Sequence, residues 1–287
     1  MCGLPRPMRV RYGDAYVSRS GYPSVIVLAD AILKNVTSFG RPTGSLDGVP
    51  ERALWQMRRT GDVENHVNNS KWIPAGRAKA VSHALEVAIA DACIARVAAR
   101  LGDGALAKKY AKRSTAYTDY WDNETSAFQG RARDGSFVRR RLETYDRTGY
   151  LGETMFEEGS PLQYSLAVPH DISGLIRLYG GRRHLRDRLE YYFFNSTFGP
   201  ASESPVDLQT GFVGGHCHGN EPGHHTPYIF NAVGAPWLAQ KALDAIMDLY
   251  TAKDAGLPGN DDVGQMSAWF VWATLGSDPG SRCLCFL

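Results

Sequence analysis

Apolar residues recur every three or four positions along much of the chain, which is the spacing of an amphipathic helix. The pattern is clear at Ala90, Cys93, Ile94, Val97 and Leu101. It returns further on, at Ile172, Leu175, Ile176 and Tyr179, at Leu238, Ala242, Ala245, Ile246 and Leu249, and at Met266, Trp269, Phe270 and Ala273. We predict helices near residues 24–36, 77–101, 105–121, 170–179, 182–194, 222–233, 236–251 and 265–275.

Glycine follows most of these segments, at Gly102, Gly180, Gly234 and Gly276. A left-handed residue at such a position ends a helix. Residues 126–150, rich in Gly and Arg, predict turns or a short hairpin. A parallel sheet would show as predicted strands alternating with helices, and the sequence has no such alternation. We therefore predict an all-α chain of helical hairpins. Periodicity alone does not say whether the hairpins close into a ring.

Composition narrows the class of protein. The chain has 287 residues, of which 43% are hydrophobic and 22% charged, as in a globular domain. A formal net charge of +2 predicts no nucleic-acid partner, since that function usually needs a basic face. The absence of a run of about eighteen apolar residues predicts no membrane span. The first residues lack the apolar run of a signal peptide, and we assign neither compartment nor oligomeric state. The five cysteines share no Cys-x-x-Cys spacing, so no disulfide framework is predicted.

Three polar stretches carry the candidate chemistry. They are Phe156–Tyr164 leading into Val168–Asp171, then His218–His225, and finally Gly259–Trp269. Glycines in these stretches let the backbone turn sharply, so that carboxylates, amides and imidazoles distant in sequence can face one pocket.

Together the stretches resemble glycoside hydrolase family 92, the calcium-dependent exo-acting α-mannosidases. The family's usual forms are close to Thr-Glu-Gly-Asn-x-Trp-Gln, Val-Pro-His-Asp, His-Gly-Asn-Glu-Pro-Ser-His-His and Gly-Asn-Asp-Asp-x-Gly-Gln-Met-Ser-Ala-Trp, in the same order and at similar spacing. The resemblance implies that the hairpins form part of an (α/α)6 toroid with the active site at one mouth.

Glycoside hydrolysis needs one carboxylic acid for the leaving oxygen and one carboxylate for water. The resemblance assigns these roles to Glu158 and Asp262, with Asp261 beside the base, and implies inversion at the anomeric carbon. It also implies substrate binding by Gln163, His170, Asp171, His224, His225 and Asn260. From the residues alone, alternatives stay open: a solvated loop glutamate at position 158, and an Asx-rich helix cap at 260–262.

Asn220 and Glu221 supply the hard oxygen donors that calcium prefers. The resemblance implies a Ca²⁺ ion there that holds vicinal hydroxyls of a mannose-containing glycan. Two alternatives remain. Glu221 with Pro222 also suits the first turn of a helix, and the nearby imidazoles would suit zinc, although no recognised zinc spacing is present.

Some positions depart from the family pattern. Glu157, Ser160 and Leu162 stand where Thr, Asn and Trp are usual, and Glu157 is expected to place a like charge beside the proposed acid.

The resemblance runs from about residue 22 to 276, so we expect a partial catalytic domain at 22–276, an unassigned segment at 1–21 and a divergent tail at 277–287. Two functions follow. The first is a calcium-dependent, inverting α-mannosidase that acts on α-1,2-linked ends of N-glycans or mannan. The second is an inactive fragment that serves as a helical carbohydrate-binding or interaction module.

Overall fold

A computed structural model describes residues 23–36, 51, 53–54, 72–77, 79–143, 155–196, 210–254 and 256–276. Within these ranges the protein is rich in helix. The helices are α1 Pro23–Leu33, α2 Ala80–Arg100, α3 Gly104–Arg113, α4 Pro161–Tyr164, α5 Ile172–Leu178, α6 Arg182–Glu190, α7 Ile229–Ala232, α8 Pro236–Met247 and α9 Gln265–Thr274.

Short antiparallel hairpins accompany the helices. They pair β1 Trp121–Asp122 with β2 Ala127–Phe128, β3 Gly130–Arg131 with β4 Phe137–Val138, and β5 Phe212–Val213 with β6 His216–Cys217. The expectation of a short hairpin within 126–150 is confirmed as far as residue 143. The all-α prediction was incomplete, because strands of two residues are too short to give a period-two pattern.

Helix α2 contributes residues to both clusters of buried apolar side chains in the described structure. Its N-terminal half, including Val81 and Leu85, packs in the cluster that also holds Phe156 and Trp269. Its C-terminal half packs against α1 and α3. The carboxylate of Asp91 accepts two hydrogen bonds from Arg113, at 2.9 and 3.0 Å, so the charge buried between α2 and α3 is paired. No helix in the described ranges has the length and apolar character needed to cross a bilayer.

Most predicted helices are confirmed within a few residues, but two are broken. The segment 105–121 divides into α3 and a 3₁₀ turn at Ala116–Tyr120. The segment 222–233 divides into 3₁₀ turns at Glu221–Gly223 and Thr226–Tyr228, followed by α7. Pro227 accounts for the second break, because a proline inside a helix lacks the required N–H and clashes with the preceding turn.

Two glycines allow the loops before α7 and α9 to touch. A Cβ atom added to Gly259 would lie 2.8 Å from the Cα atom and the carbonyl oxygen of Gly219. The Gly259 backbone is also left-handed, with φ +97°. Only a residue without a side chain permits both this conformation and this contact.

We expect Gly259→Ala to destabilise the protein more than Gly264→Ala. Both positions are left-handed, at φ +97° and +94°, but no described atom lies within 4 Å of a Cβ atom added to Gly264. Both variants therefore carry backbone strain, and only the first meets another backbone. The difference in the free energy of unfolding, measured with urea, should be about 1–3 kcal/mol. Equal losses would contradict the contact.

Candidate active site

Glu158 lies in a buried loop that leads into α4. The loop ends where Ser160 caps α4, its hydroxyl accepting a hydrogen bond of 3.2 Å from the Gln163 N–H. Only 2% of Glu158 is exposed, and its backbone is left-handed at φ +47°. The alternative of a solvated loop glutamate is therefore wrong. A left-handed glutamate is strained, and such strain is characteristic of functional sites.

Glu157, the neighbour of Glu158, is bound on all sides. Its carboxylate forms an ion pair with the Lys79 ammonium group. Its N–H donates to Ser82 Oγ at 3.1 Å, and its carbonyl oxygen accepts from the Tyr164 hydroxyl at 2.6 Å. The like charge expected at Glu157 is thus compensated by a cation. Lys79 is 78 positions away, and no sequence motif pointed to it.

Asn220 joins the first polar stretch to the second. Its side chain is 1% exposed, and its Nδ2 donates to the carbonyl oxygen of Glu158 at 2.9 Å. With the amide oriented by that bond, its carbonyl oxygen is the atom suited to a cation. The half-buried Glu221 follows as the first residue of a 3₁₀ turn, so its start-of-helix interpretation holds for that single turn.

These donors fit calcium, which takes hard oxygen ligands and tolerates coordination completed by water or substrate. Among the described residues, no three His, Cys, Asp or Glu side chains converge as metal ligands. The amide oxygen of Asn220 and the carboxylate of Glu221 are the oxygen donors predicted for the ion, and ion binding by them stays a prediction.

The imidazole rings of His216, on β6, and of His218, in the following loop, are buried and lie in a chain of polar contacts. His216 Nε2 lies 3.3 Å from His218 Nδ1, and His218 Nε2 lies 2.8 Å from the Tyr250 hydroxyl. The Tyr250 hydroxyl also lies 3.3 Å from the Met266 carbonyl oxygen, which extends this chain of contacts to α9. Burial supports the neutral forms: it lowers the pKa of His216 to about 3 and that of His218 well below its usual range.

His224 and His225 hold backbone carbonyls. His224 Nε2 donates to the carbonyl oxygen of His218 at 3.0 Å, and its Nδ1 accepts from Gln265 Nε2 at 3.2 Å. His225 Nε2 donates to the carbonyl oxygen of Leu166 at 2.9 Å. Both ring nitrogens of His224 are therefore engaged within the protein. Direct contact of these two histidines with substrate stays a prediction.

In the third stretch, the two aspartates have different surroundings. The Asp261 carboxylate accepts from the N–H and the hydroxyl of Ser267, at 3.0 and 2.6 Å, and these bonds lower its pKa. Asp261 thus binds an N–H of the first turn of α9 from outside the helix, while the N-cap residue itself is Gly264. Asp262 is half-buried at φ +47°, and Val263 follows at φ +59°, where a β-branched residue is strongly disfavoured. Asn260 is exposed beside them.

The second and third stretches are held together at several points. Besides the contact between Gly219 and Gly259, the Trp269 indole N–H donates to the carbonyl oxygen of His224 at 3.1 Å. The Trp269 ring also packs on the His218 ring, with 4.2 Å between centroids. Since Asn220 binds the Glu158 loop, the second polar stretch contacts both the first and the third.

Gln163 lies between two of these loops. Cβ atoms added to Gly159 and Gly223 would come within 3.1 and 3.7 Å of its amide oxygen and nitrogen, respectively. The side chain is 3% exposed, and within the described ranges neither polar atom has a hydrogen-bond partner. Such a buried amide needs a partner, which agrees with its predicted role toward substrate but does not test it.

His170 and Asp171 have structural partners at the start of α5. The Asp171 carboxylate accepts from the Gly174 N–H at 2.7 Å and from the Tyr117 hydroxyl at 2.8 Å, which confirms capping. His170 Nε2 donates to the carbonyl oxygen of Ser114 at 3.1 Å. Substrate binding by either residue stays a prediction.

The half-buried His170 should make stability depend on pH. Burial lowers its pKa from 6.5 to about 4, although the Ser114 bond partly offsets this. Between these values the unfolded chain binds a proton that the folded protein does not, so stability falls as the pH drops. Between about pH 7.5 and pH 5, His170→Gln should lose about 2 kcal/mol less unfolding free energy than the wild type in urea titrations. Equal slopes would contradict a half-buried, neutral imidazole.

Two solved structures with a similar architecture are both family 92 mannosidases. One is a family 92 α-mannosidase from Bacteroides thetaiotaomicron in complex with mannoimidazole, 32% identical with a TM-score of 0.76 over 88% of this chain. Another is a family 92 inverting mannosidase from the same bacterium, 28% identical with a TM-score of 0.72 over 93% of this chain. The chain spans 33% and 36% of those two proteins, about a third of their length.

Sequence comparison agrees with the structures. An uncharacterized secreted glycosidase from Arthroderma benhamiae is 33% identical over 113 residues, which are 39% of this chain and 12% of the fungal protein. The sequence profile of the glycosyl hydrolase family 92 catalytic domain matches residues 9–280, nearly the whole chain. The chain therefore belongs to glycoside hydrolase family 92.

Proposed function

We propose that this protein is an exo-acting α-mannosidase-type glycoside hydrolase that releases mannose from α-mannosides, with α-1,2-linked ends of N-glycans or mannan as substrates. Family membership and the α-mannosidases among its structural relatives support the substrate class. The observation that carries the proposal is the 2.9 Å bond from Asn220 to the carbonyl oxygen of Glu158, which joins the candidate acid to the candidate ion ligands.

In the proposed reaction, the Glu158 carboxyl group gives its proton to the glycosidic oxygen as the bond from that oxygen to the anomeric carbon breaks. A water molecule attacks the anomeric carbon from the opposite face, and the Asp262 carboxylate takes a proton from it. The product is then the inverted sugar. Inverting enzymes of this kind hold the two carboxyl groups about 6.5–9.5 Å apart, with room for the water.

The surroundings of the two carboxyl groups support this division of roles. Glu158 is almost wholly buried, with 2% of the residue exposed, so its carboxyl group is shielded from bulk water. Asp262 is half-buried and adjoins the exposed Asn260, where bulk water can enter. The hydrogen bonds of Asp261 to Ser267 anchor the backbone just before Asp262, so the candidate base is held by the start of α9.

Asn220 and Glu221 are the residues that would hold Ca²⁺. When bound, such an ion would orient vicinal hydroxyls of the sugar and help to distort its ring. The chain's own contribution is the buried amide of Asn220, already oriented by its bond to the Glu158 loop.

We further propose that the helical hairpins form part of an (α/α)6 toroid with this site at one mouth. The TM-scores of 0.76 and 0.72 to family 92 mannosidases support that arrangement.

Hydrolysis of an aryl α-mannoside tests the assignment. Glu158→Gln and Asp262→Asn should each lower kcat by about 10²–10⁴-fold, because each removes one proton-transfer step. Asp244→Asn, at an exposed position of α8, is the matched control and should retain the wild-type rate. Proton NMR of the first product should show β-mannose. A folded wild-type protein that binds mannosides without cleaving them would instead favour the carbohydrate-binding module.

Calcium dependence is tested separately by chelation. A calcium chelator should abolish hydrolysis, and added Ca²⁺ should restore it. Glu221→Gln removes a charged oxygen donor and should raise the Ca²⁺ concentration for half-maximal binding, measured by calorimetry, by about tenfold or more. The control is Asp248→Asn, an exposed carboxylate elsewhere on the chain. Identical calcium titrations for Glu221→Gln and wild type would remove Glu221 from the ion site.

A further inference from the structure

We propose that Lys79 is a positioning residue of this site: through its ion pair with Glu157, it fixes the loop that carries Glu158. The inference rests on the proposed function for its effect on catalysis, but its structural part stands on contacts around Glu157. It concerns a residue pair outside the predicted acid, base and ion ligands.

The first turn of α2 lies alongside the Glu158 loop. Met155 accepts at its carbonyl oxygen from the Val81 N–H at 3.0 Å, so residue 155 is attached to this turn. Lys79 precedes the helix in a left-handed conformation, with φ +61°. That conformation is uncommon for a lysine, and strained residues persist only where their surroundings over-determine them.

Lys79 and Glu157 are connected by two routes. The first is the ion pair between their side chains. The second runs through Ser82, whose hydroxyl accepts from the Glu157 N–H at 3.1 Å and donates to the Lys79 carbonyl oxygen at 3.2 Å. The two routes form a closed ring of polar contacts that fixes both the backbone and the side chain of Glu157.

The opposite side of the loop is also bound. The Tyr164 hydroxyl donates to the Glu157 carbonyl oxygen, and Asn220 donates to the carbonyl oxygen of Glu158. With the N–H, the carbonyl and the carboxylate of Glu157 all held, the backbone enters Glu158 from a fixed direction. This constraint supports the left-handed φ of +47° at Glu158 and hence the direction of its side chain.

Burial increases the free-energy cost of breaking the ion pair between Lys79 and Glu157. Side-chain exposure is 18% for Lys79 and 5% for Glu157. Removing one member of a buried pair leaves an uncompensated charge, which is strongly destabilising, whereas replacing both with neutral groups is often tolerated. Loss of Lys79 would remove the cation that pairs with the Glu157 carboxylate directly beside Glu158, and we expect the loop to adjust to that loss.

The test is a double-mutant cycle of Lys79→Met, Glu157→Gln and the double variant in the full 287-residue chain, with Lys34→Met as control. Lys34 also forms an ion pair, with Asp30 at 2.7 Å, but on the exposed surface of α1. Two readouts are needed: amide hydrogen exchange of residues 155–159, which reports the loop, and kcat and KM for an aryl α-mannoside, which report catalysis.

Lys79→Met should speed exchange at 155–159 by about tenfold or more and lower kcat by about tenfold or more with KM nearly unchanged, because acid placement acts in the transition state. The double variant should lose little more than Lys79→Met alone, because both substitutions break the same pair, and Lys34→Met should change neither readout. Unchanged exchange in Lys79→Met, or losses that simply add in the double variant, would overturn the proposal.

The cycle separates this inference from the proposed function. If the wild-type chain cleaves no mannoside, the proposed function fails, while hydrogen exchange still decides whether Lys79 holds the loop. If Lys79→Met does not fold, Glu157→Gln serves alone, since it breaks the same pair and leaves the charge on Lys79, the more exposed member. It should also speed exchange at 155–159, and wild-type exchange in that variant would overturn the proposal.

Discussion

The candidate site depends on one requirement: buried backbone carbonyls in irregular loops must find hydrogen-bond donors. Helices satisfy their own backbone, but the loops around Glu158 and His218 cannot. Side chains supply the donors instead, from Asn220 to Glu158, from His225 to Leu166 and from Tyr164 to Glu157. The polar residues that mark the site in the sequence are therefore also the residues that allow its loops to be buried.

Because the same side chains mark the site and donate to the buried carbonyls, they also hold loops that are distant in sequence next to one another. Some of these hydrogen bonds join two different polar stretches, and others close a turn within a single stretch. The bonds that satisfy the carbonyl groups therefore also connect the stretches. The aromatic surface of Trp269 completes the arrangement. It packs on His218 and donates to the carbonyl oxygen of His224, which anchors α9 beneath the loop that carries the candidate ion ligands. Trp269 thus helps to place this loop although it has no part in the proposed chemistry.

Part of the fold and of the candidate site could be predicted from the sequence. Long amphipathic segments such as α2 and α8 were located by their apolar period, since burial of one face is what creates that period. The break at Pro227 was missed because proline also suits the first turn of a helix. The hydrogen bonding of Asp261 to the start of α9 was recognised as an alternative because capping is local chemistry.

Other features required the fold. The ion pair of Glu157 with Lys79 joins residues far apart in the chain, and the like charge expected from Glu157 is compensated only in three dimensions. The contact between Gly219 and Gly259 is equally non-local. Glycine in a sequence indicates conformational freedom, but not which backbone it will approach. The family motifs gave the expected roles of Glu158 and Asp262, and physical spacing alone did not.

The left-handed backbone at Glu158, Asp262 and Val263 has a wider consequence. Glycine would adopt these conformations freely, and asparagine more easily than glutamate or valine, whereas each strained residue costs of order 1–3 kcal/mol. Replacement by glycine would relieve the backbone at these positions, so the side chains there are held at a cost in stability.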